Sequence, residues 1–260
     1  MGESDQSHYA GRKIVERCSA LGCHRQAHVA PQDVDKRLLC LIHSRDEHKD
    51  VDQFSREFDS MLPRAGGDVD CSDFVFPRDF PVPKEFNARP NFESAIFLGD
   101  VDFHKVTFQF GAIFNLVHFE GRVQFDRCIF AGVASFDYAL FAGPTSFEKT
   151  VFNGAAQFNH AHLPGFVDFS NTQFLAAAEF RETLFAGARE RETYPPCLPG
   201  PVFSRAAFAK PELVIFYKCY LGQALFHNCD VSRFVFSDVT WRRRAANGKR
   251  MVFEEDINLV

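Results

Sequence analysis

Apolar positions in this chain follow one rule over about a hundred residues. Phe92, Phe97, Phe103, Phe108, Phe114, Phe119, Phe125, Phe130, Phe136, Phe141, Phe147, Phe152, Phe158, Leu163, Phe169, Phe174, Phe180 and Phe185 are separated by alternating steps of five and six, so the true repeat is eleven residues. Two positions before nearly every one stands a small or β-branched residue, as at Ala95, Val101, Val106, Ala112, Val117, Val123 and Ala134. Glycine follows two positions after alternate members, at Gly99, Gly121, Gly132, Gly143, Gly154, Gly165 and Gly187. Self-similarity at a fixed short period is the mark of a solenoid.

The spacing also says which solenoid. At about 100° per residue, a five-residue step turns consecutive rings about 140° apart on a helix, so no helical face collects them. An eleven-residue coiled coil needs apolar steps of three and four, which are absent. A flat strand fails because steps of five and six break its two-residue alternation. A Phe-rich sandwich has no reason to keep one period. What remains is a chain that runs straight for about three residues with i−2 and i inward, turns a corner and repeats. The glycines are expected at corners that need permissive backbone angles.

The unit small-x-Phe-x-x, as in Ala95-Ile96-Phe97 or Val117-His118-Phe119, resembles the pentapeptide-repeat proteins, in particular the Phe-rich subgroup with one inserted residue per pair of repeats. The resemblance spans roughly residues 91 to 241. It implies an all-β fold, a right-handed quadrilateral β-helix with four pentapeptides per coil. One coil is then 22 residues, stacking Phe92, Phe114, Phe136, Phe158 and Phe180 in one inner column and Phe103, Phe125, Phe147 and Phe169 in another. After Phe185 a polar, Pro-rich excursion at 188–201 interrupts the period, and from Phe216 the step is strictly five. Insertions in solenoids emerge as loops and often carry function, which makes 188–201 a candidate for partner contact.

Outside the repeats, one constellation has coordination chemistry. Cys18-x4-Cys23, sixteen residues, then Cys40-x2-His43 supplies three thiolates and an imidazole in two close pairs, which suits a closed tetrahedral Zn²⁺ site. Gly22 lets the first pair turn back on itself; His24 and His28 are the alternative nitrogen ligands. The fragments resemble short zinc modules appended to many bacterial and phage proteins. So little apolar sequence makes no core, and the metal is expected to supply the folding free energy. A site with four protein ligands has no open position, so its role is structural. Residues 44–62 read as a helix with Val51, Phe54, Phe58, Met61 and Leu62 on one face, ended by Pro63 and placed to cap the solenoid with the entry segment 76–90. The expected divisions are a zinc module at 1–45, the cap and entry at 46–90, the β-helix at 91–241 and a C-terminal cap or tail at 242–260. The tail carries Arg242-Arg243-Arg244 and a turn at Asn247-Gly248, suited to a closing hairpin.

Composition narrows function. Thirty-two Phe against one Trp and five Tyr reflects the repeat rather than a binding surface. A net charge of −5 gives no basic field for nucleic acid, although Arg12, Lys13, Arg17, Arg25, Lys36 and Arg37 lend the zinc module a basic cast. No apolar run approaches 18 residues and the first residues lack a signal-peptide core, so the expectation is a cytoplasmic chain with no membrane span and reduced thiols. Cys128, Cys219 and Cys229 fall at small inward positions and read as buried fillers. His160 and His162 flank inward Ala161 and point outward. No nucleophile–base pair, phosphate loop or open metal site is present, so an enzyme is not expected.

The resemblance also implies one known activity, mimicry of duplex DNA toward type II topoisomerases, which needs rows of carboxylates along the rod. The outward rows are mixed: Glu93, Asn115, Asp137, Asn159, Arg181 in one; His104, Asp126, Glu148, Ser170 in another; Asp102, Gln124, Ser146, Asp168 in a third. The reading is therefore a non-catalytic scaffold for a protein partner, with a homodimer, mimicry and nucleic-acid binding through the zinc module as the alternatives. The abrupt end at Val260 leaves open a longer protein.

Overall fold

Short straight segments joined by tight corners, repeated at one period, can only pair with copies of themselves one coil away. That is what the chain does in a computed structural model, which describes residues 17–27, 38–63, 66–185, 200–222 and 224–241. One helix, α1 (Val51–Met61), precedes a succession of strands, most only two residues long; the first six are β1 (Asp68–Asp70), β2 (Val75–Phe76), β3 (Glu85–Phe86), β4 (Arg89–Asn91), β5 (Ile96–Phe97) and β6 (Val101–Asp102). The strands stack into four parallel sheets, the sides of a square tube of about seven turns. The first face begins with β1 and β4, the second with β2 and β5, the third with β6 and the fourth with β3; they hold eight, eight, four and six strands.

Register follows the sequence period. Ala112 pairs with Ala134, Ala134 with Ala156 and Ala156 with Ala178, each 22 residues on. The expected ring columns form. Phe92 stacks on Phe114 at 5.0 Å, Phe114 on Phe136 at 5.0 Å and Phe136 on Phe158 at 4.8 Å. Phe103, Phe125, Phe147 and Phe169 make the second column at 4.6 to 5.0 Å. Rings of different columns meet edge to face, as Phe125 does with Phe136 at 5.5 Å and 76°. Offset-parallel contacts along the tube and T-shaped ones across it are both favourable for the ring quadrupole. The column survives the insertion: Phe203 stacks on Phe169 at 4.8 Å, and Ala178 pairs with Val214. The last coil is tighter, with Ile215 opposite Val235.

Three expectations need correction. The ladders start at Asp68 rather than 91, because Val75 and Phe76 pair with Ile96 and Phe97, so the entry segment already belongs to the first coil. The helix occupies Val51–Met61 and not all of 44–62. Asp50 caps it, accepting from the Gln53 N–H at 2.9 Å, and the preceding Lys49 is drawn into the solenoid's end, which stops the helix extending backward. The third correction concerns the corners. Gly121, Gly132, Gly143, Gly154 and Gly165 do not have positive φ; a Cβ on any of them would lie 2.4 to 2.8 Å from backbone atoms of the coil below. Positive φ falls instead on non-glycine residues two after alternate rings, among them Ser94, Lys105, Leu116, Arg127, Tyr138, Lys149 and His160. There Ala95 N–H bonds to Phe92 C=O at 3.0 Å and Ala139 N–H to Phe136 C=O at 3.1 Å, closing type II-like turns. Apart from Gly111, which takes φ +80°, the glycines of these corners mark where coils come closest, not where the backbone turns left-handed.

Inward polar groups are satisfied. Thr172 and Thr183 hydroxyls donate to Phe147 and Phe158 carbonyls at 2.7 and 2.8 Å, and the Cys128 thiol to the Phe103 carbonyl at 2.9 Å. Cys219 and Cys229 are likewise buried, with thiols on the Phe180 and Ala206 carbonyls. The small inward position therefore takes Thr and Cys as readily as Ala or Val.

Most of the 188–201 excursion, Gly187 and the 242–260 segment lie outside the described residues, as do Arg12, Lys13, His28, Lys36 and Arg37. No helix among the described residues is long and apolar enough to cross a membrane.

Candidate metal centre

Two tight turns bring the four predicted ligands together. In the first, Arg17 bridges Gln26, Cys18 N–H bonds to Arg25 C=O at 3.0 Å, and Gly22 takes φ +74°, so residues 18–25 fold into a knuckle with Cys18 and Cys23 on one side. In the second, His43 and Ser44 N–H groups both bond to Cys40 C=O at 3.1 and 2.9 Å, which places Cys40 and His43 side by side. Ser19 joins the two, its N–H and hydroxyl both bonding to Leu38 C=O at 2.7 and 2.9 Å.

The Sγ atoms of Cys18, Cys23 and Cys40 and one His43 ring nitrogen all lie within 4.8 Å of one another. A tetrahedral zinc site with Zn–S near 2.3 Å and Zn–N near 2.0 to 2.1 Å has edges of about 3.8 Å between sulfurs and about 3.6 Å from sulfur to nitrogen. Cys23 and Cys40 sulfurs are 3.8 Å apart, Cys18 Sγ is 3.6 Å from His43 Nδ1, and Cys40 Sγ is 3.2 Å from it. The donors thus already sit near the corners of a tetrahedron that can hold a metal ion, with His43 presenting Nδ1. His24, exposed, is not part of the cluster.

The electrostatics are mixed. Burial pushes the Cys40 thiol up to about 12, so without a metal it holds its proton and a bound cation would have to displace it. Burial also holds the His43 imidazole below its usual range, so the ring is a neutral donor at neutral pH. Burial also works to raise Cys23, but N–H donors from Arg25 outweigh it and leave the thiol lowered. Arg25 further reaches α1, with its guanidinium 3.9 Å from Glu57 and 2.7 Å from the Met61 sulfur.

The cluster is joined directly to the solenoid. His43 packs edge-on against Phe74 at 5.6 Å. Between the ligands, Leu41 and Ile42 are buried, and Ile42 C=O accepts the Val75 N–H at 2.8 Å. Lys49, 3% exposed, donates to Leu41, Ser44 and Val75 carbonyls at 3.0, 2.5 and 2.6 Å. Phe54 and Phe58 of α1 pack on Phe76 and Phe80 at 5.2 to 5.6 Å. Arg45 reaches Glu120 at 2.6 Å. Sequence reasoning missed Ile42 and Lys49. A lysine before an Asp cap looks like part of a solvated helix, and only the end strand explains it.

Outside the tube, Asx side chains stitch coils together. Asn115 Oδ1 accepts the Asp137 N–H at 3.1 Å, Asp137 the Asn159 N–H at 2.9 Å, Asn159 the Arg181 N–H at 3.1 Å, and Asp126 the Glu148 N–H at 3.0 Å. His160 is exposed, as its position implies, and stacks on Tyr138 at 4.5 Å.

Comparison with known proteins gives a family match and little more. The model for pentapeptide repeats matches residues 92–140 and 136–184. Two solved structures of trypsin-treated variants of QnrB1, described as a plasmid-mediated fluoroquinolone resistance protein, align at 12% identity. One covers 58% of this chain and 82% of that chain with a TM-score of 0.18, the other 68% and 89% with a TM-score of 0.16, values too low to support any argument. The curated proteins contain no match to the chain.

Proposed function

The chain is a pentapeptide-repeat protein, and from that premise we propose that it is a non-catalytic scaffold that binds a protein partner on its rigid outer faces, with one structural zinc ion fastening its N-terminal end. The observation that carries this reading is the filled interior. Stacked rings occupy the tube from Phe92 to Phe216, and the inward hydroxyls and thiols are spent on carbonyls of neighbouring coils. Catalysis needs convergent polar groups around a space that admits substrate. A recess of about 360 Å³ lies outside the tube, where the first coil has no third-face strand. Two of its carboxylates, Asp100 and Asp102, already accept the Arg122 and His104 N–H groups.

Zinc fits the donor set by ligand type, number and spacing. When bound it would tie the 18–23 knuckle to the 40–43 turn. With four protein ligands it would leave no position for substrate.

The mixed outer rows weigh against duplex mimicry. Asp126 and Asp137 each use an oxygen on a backbone N–H of the next coil, and they share their rows with Asn and His instead of repeating as phosphates do. Nucleic-acid binding by the module finds Arg25 engaged with α1. The test is a photoreactive residue placed in turn at Gln157, Leu140, Gln124 and Val151, one outward position per face. A partner crosslinked from one or two adjacent faces is expected; equal labelling from all four, or turnover abolished by outward substitutions, overturns the scaffold reading.

A further inference from the structure

We infer that the Cys40–His43 turn is a metal-operated latch on the end strand of the solenoid, so that loss of the metal opens the N-terminal edge of the second face. The inference rests on the proposed metal at the cysteine–histidine cluster.

The end strand β2 has two kinds of backbone group. Phe74 and Phe76 carbonyls point into the tube wall and accept the Ile96 and Leu98 N–H groups at 2.8 and 3.1 Å. Val75 points its N–H and C=O the other way, toward the edge of an eight-stranded sheet that no further strand covers among the described residues. Unpaired edge groups of that kind recruit other strands. Here both are occupied, the N–H by Ile42 C=O and the C=O by the Lys49 ammonium. Ile42 lies between two metal ligands, and Lys49 clamps the same turn through Leu41 and Ser44 carbonyls.

The coupling follows from this placement. Metal bonds to Cys40 and His43 would fix both ends of a four-residue turn, holding the Ile42 carbonyl where Val75 needs it. Without them the turn keeps its hydrogen bonds to Cys40 C=O, its contacts with Lys49, the burial of Leu41 and Ile42 and the His43–Phe74 contact. It loses the coordination that would fix both of its ends, which lets so short a segment open more often. Opening then becomes a local event that leaves the ring columns untouched, since repeats contact only their neighbours.

The experiment is amide hydrogen exchange on the full chain, loaded with zinc and after removal of the metal by a chelator, with metal content measured in each sample. Removal is expected to speed exchange at Val75 by roughly 100-fold while Phe114 and Ala134, deep in the tube, are unchanged. Lys49→Met is expected to keep one metal per chain and still speed Val75, which separates the latch from simple collapse of the metal site. Val75 exchanging equally with and without metal, or staying protected in Lys49→Met, overturns the latch. A chain that never takes up stoichiometric metal instead overturns the zinc reading beneath it.

Discussion

Substituting Gly143 with Ala tests whether corner glycines serve coil spacing or backbone angle. A Cβ at Gly143 would sit 2.5 Å from Gly121 O, 2.7 Å from its carbonyl carbon and 2.9 Å from Arg122 N. All three are backbone atoms that cannot swing aside. Restoring a contact of about 3.5 Å requires the two coils to part locally by about 1 Å. The ladder bonds flanking that corner are Ala142 N–H to Phe119 C=O at 2.9 Å and Val123 N–H to Pro144 C=O at 3.0 Å. Lengthened by about 1 Å, neither remains a hydrogen bond. Two lost bonds at about 1 kcal/mol each, with some residual overpacking, put the loss at about 2–3 kcal/mol. Equilibrium urea unfolding reads the total, and hydrogen exchange at Val123 and Ala142 reads the site. The matched control is Leu116→Asn at a left-handed corner. There φ is +56° and the leucine is 51% exposed. Left-handed backbone costs an ordinary L-residue about 1–2 kcal/mol and Asn less, so this variant should gain about 0.5–1 kcal/mol. Gly143→Ala falling within about 0.5 kcal/mol of the parent would refute the steric account.

Three further outcomes follow from the same geometry. Phe136→Ala removes a fully buried ring that stacks on Phe114 and Phe158 and should cost about 3–5 kcal/mol in urea unfolding, with exchange rising in its own coil and the two beside it. Burial raises the Asp137 carboxyl, so the fold favours its protonated form. That contribution is full below the ordinary carboxylate range and lost as pH climbs through the raised value, whereas Asp137→Asn keeps an acceptor for the Asn159 N–H and should be pH-independent there; parallel stability curves for the two proteins would contradict this. Purified chain should carry one zinc, measured by elemental mass spectrometry, and Cys23→Ser should lose most of it while Cys128→Ser, inside the tube, keeps it.

How much was legible depended on whether a residue's role repeats. The ring columns were readable because each coil poses the same steric problem as the last, so the answer recurs at Phe92, Phe114 and Phe136. That Cys18, Cys23, Cys40 and His43 would come together was readable because thiols and an imidazole in paired spacing have few other uses. The corner glycines were found but misread: two corner types alternate, and sequence shows which holds glycine without showing which is left-handed. The first coil was missed because its third side, Asp79 to Val82, has Pro81 where a ladder N–H would be needed and so forms no strand. Lys49 was opaque for the opposite reason. It acts once, at an end, and nothing periodic announces it.

The two parts of the chain solve opposite problems. A tube of stacked rings gains burial with every coil and would lengthen without limit, but each end leaves inward rings and outward amides uncovered. Around residues 18–43 the apolar content is too small to bury rings or hold a fixed shape alone. Joining them answers both needs: α1 lays Phe54 and Phe58 over Phe76 and Phe80, while the 40–43 turn lends a carbonyl and Lys49 an ammonium to Val75. Because the turn belongs to the cluster that could hold a metal, the proposed coordination would add to the cap's rigidity beyond the apolar area it buries. Two ends closed by apolar packing alone would both respond to temperature and denaturant; this N-terminal end should respond to chelator as well. A coil-by-coil exchange map in which chelation loosens the solenoid evenly, not from Val75 inward, would show that the metal's influence does not enter through that edge.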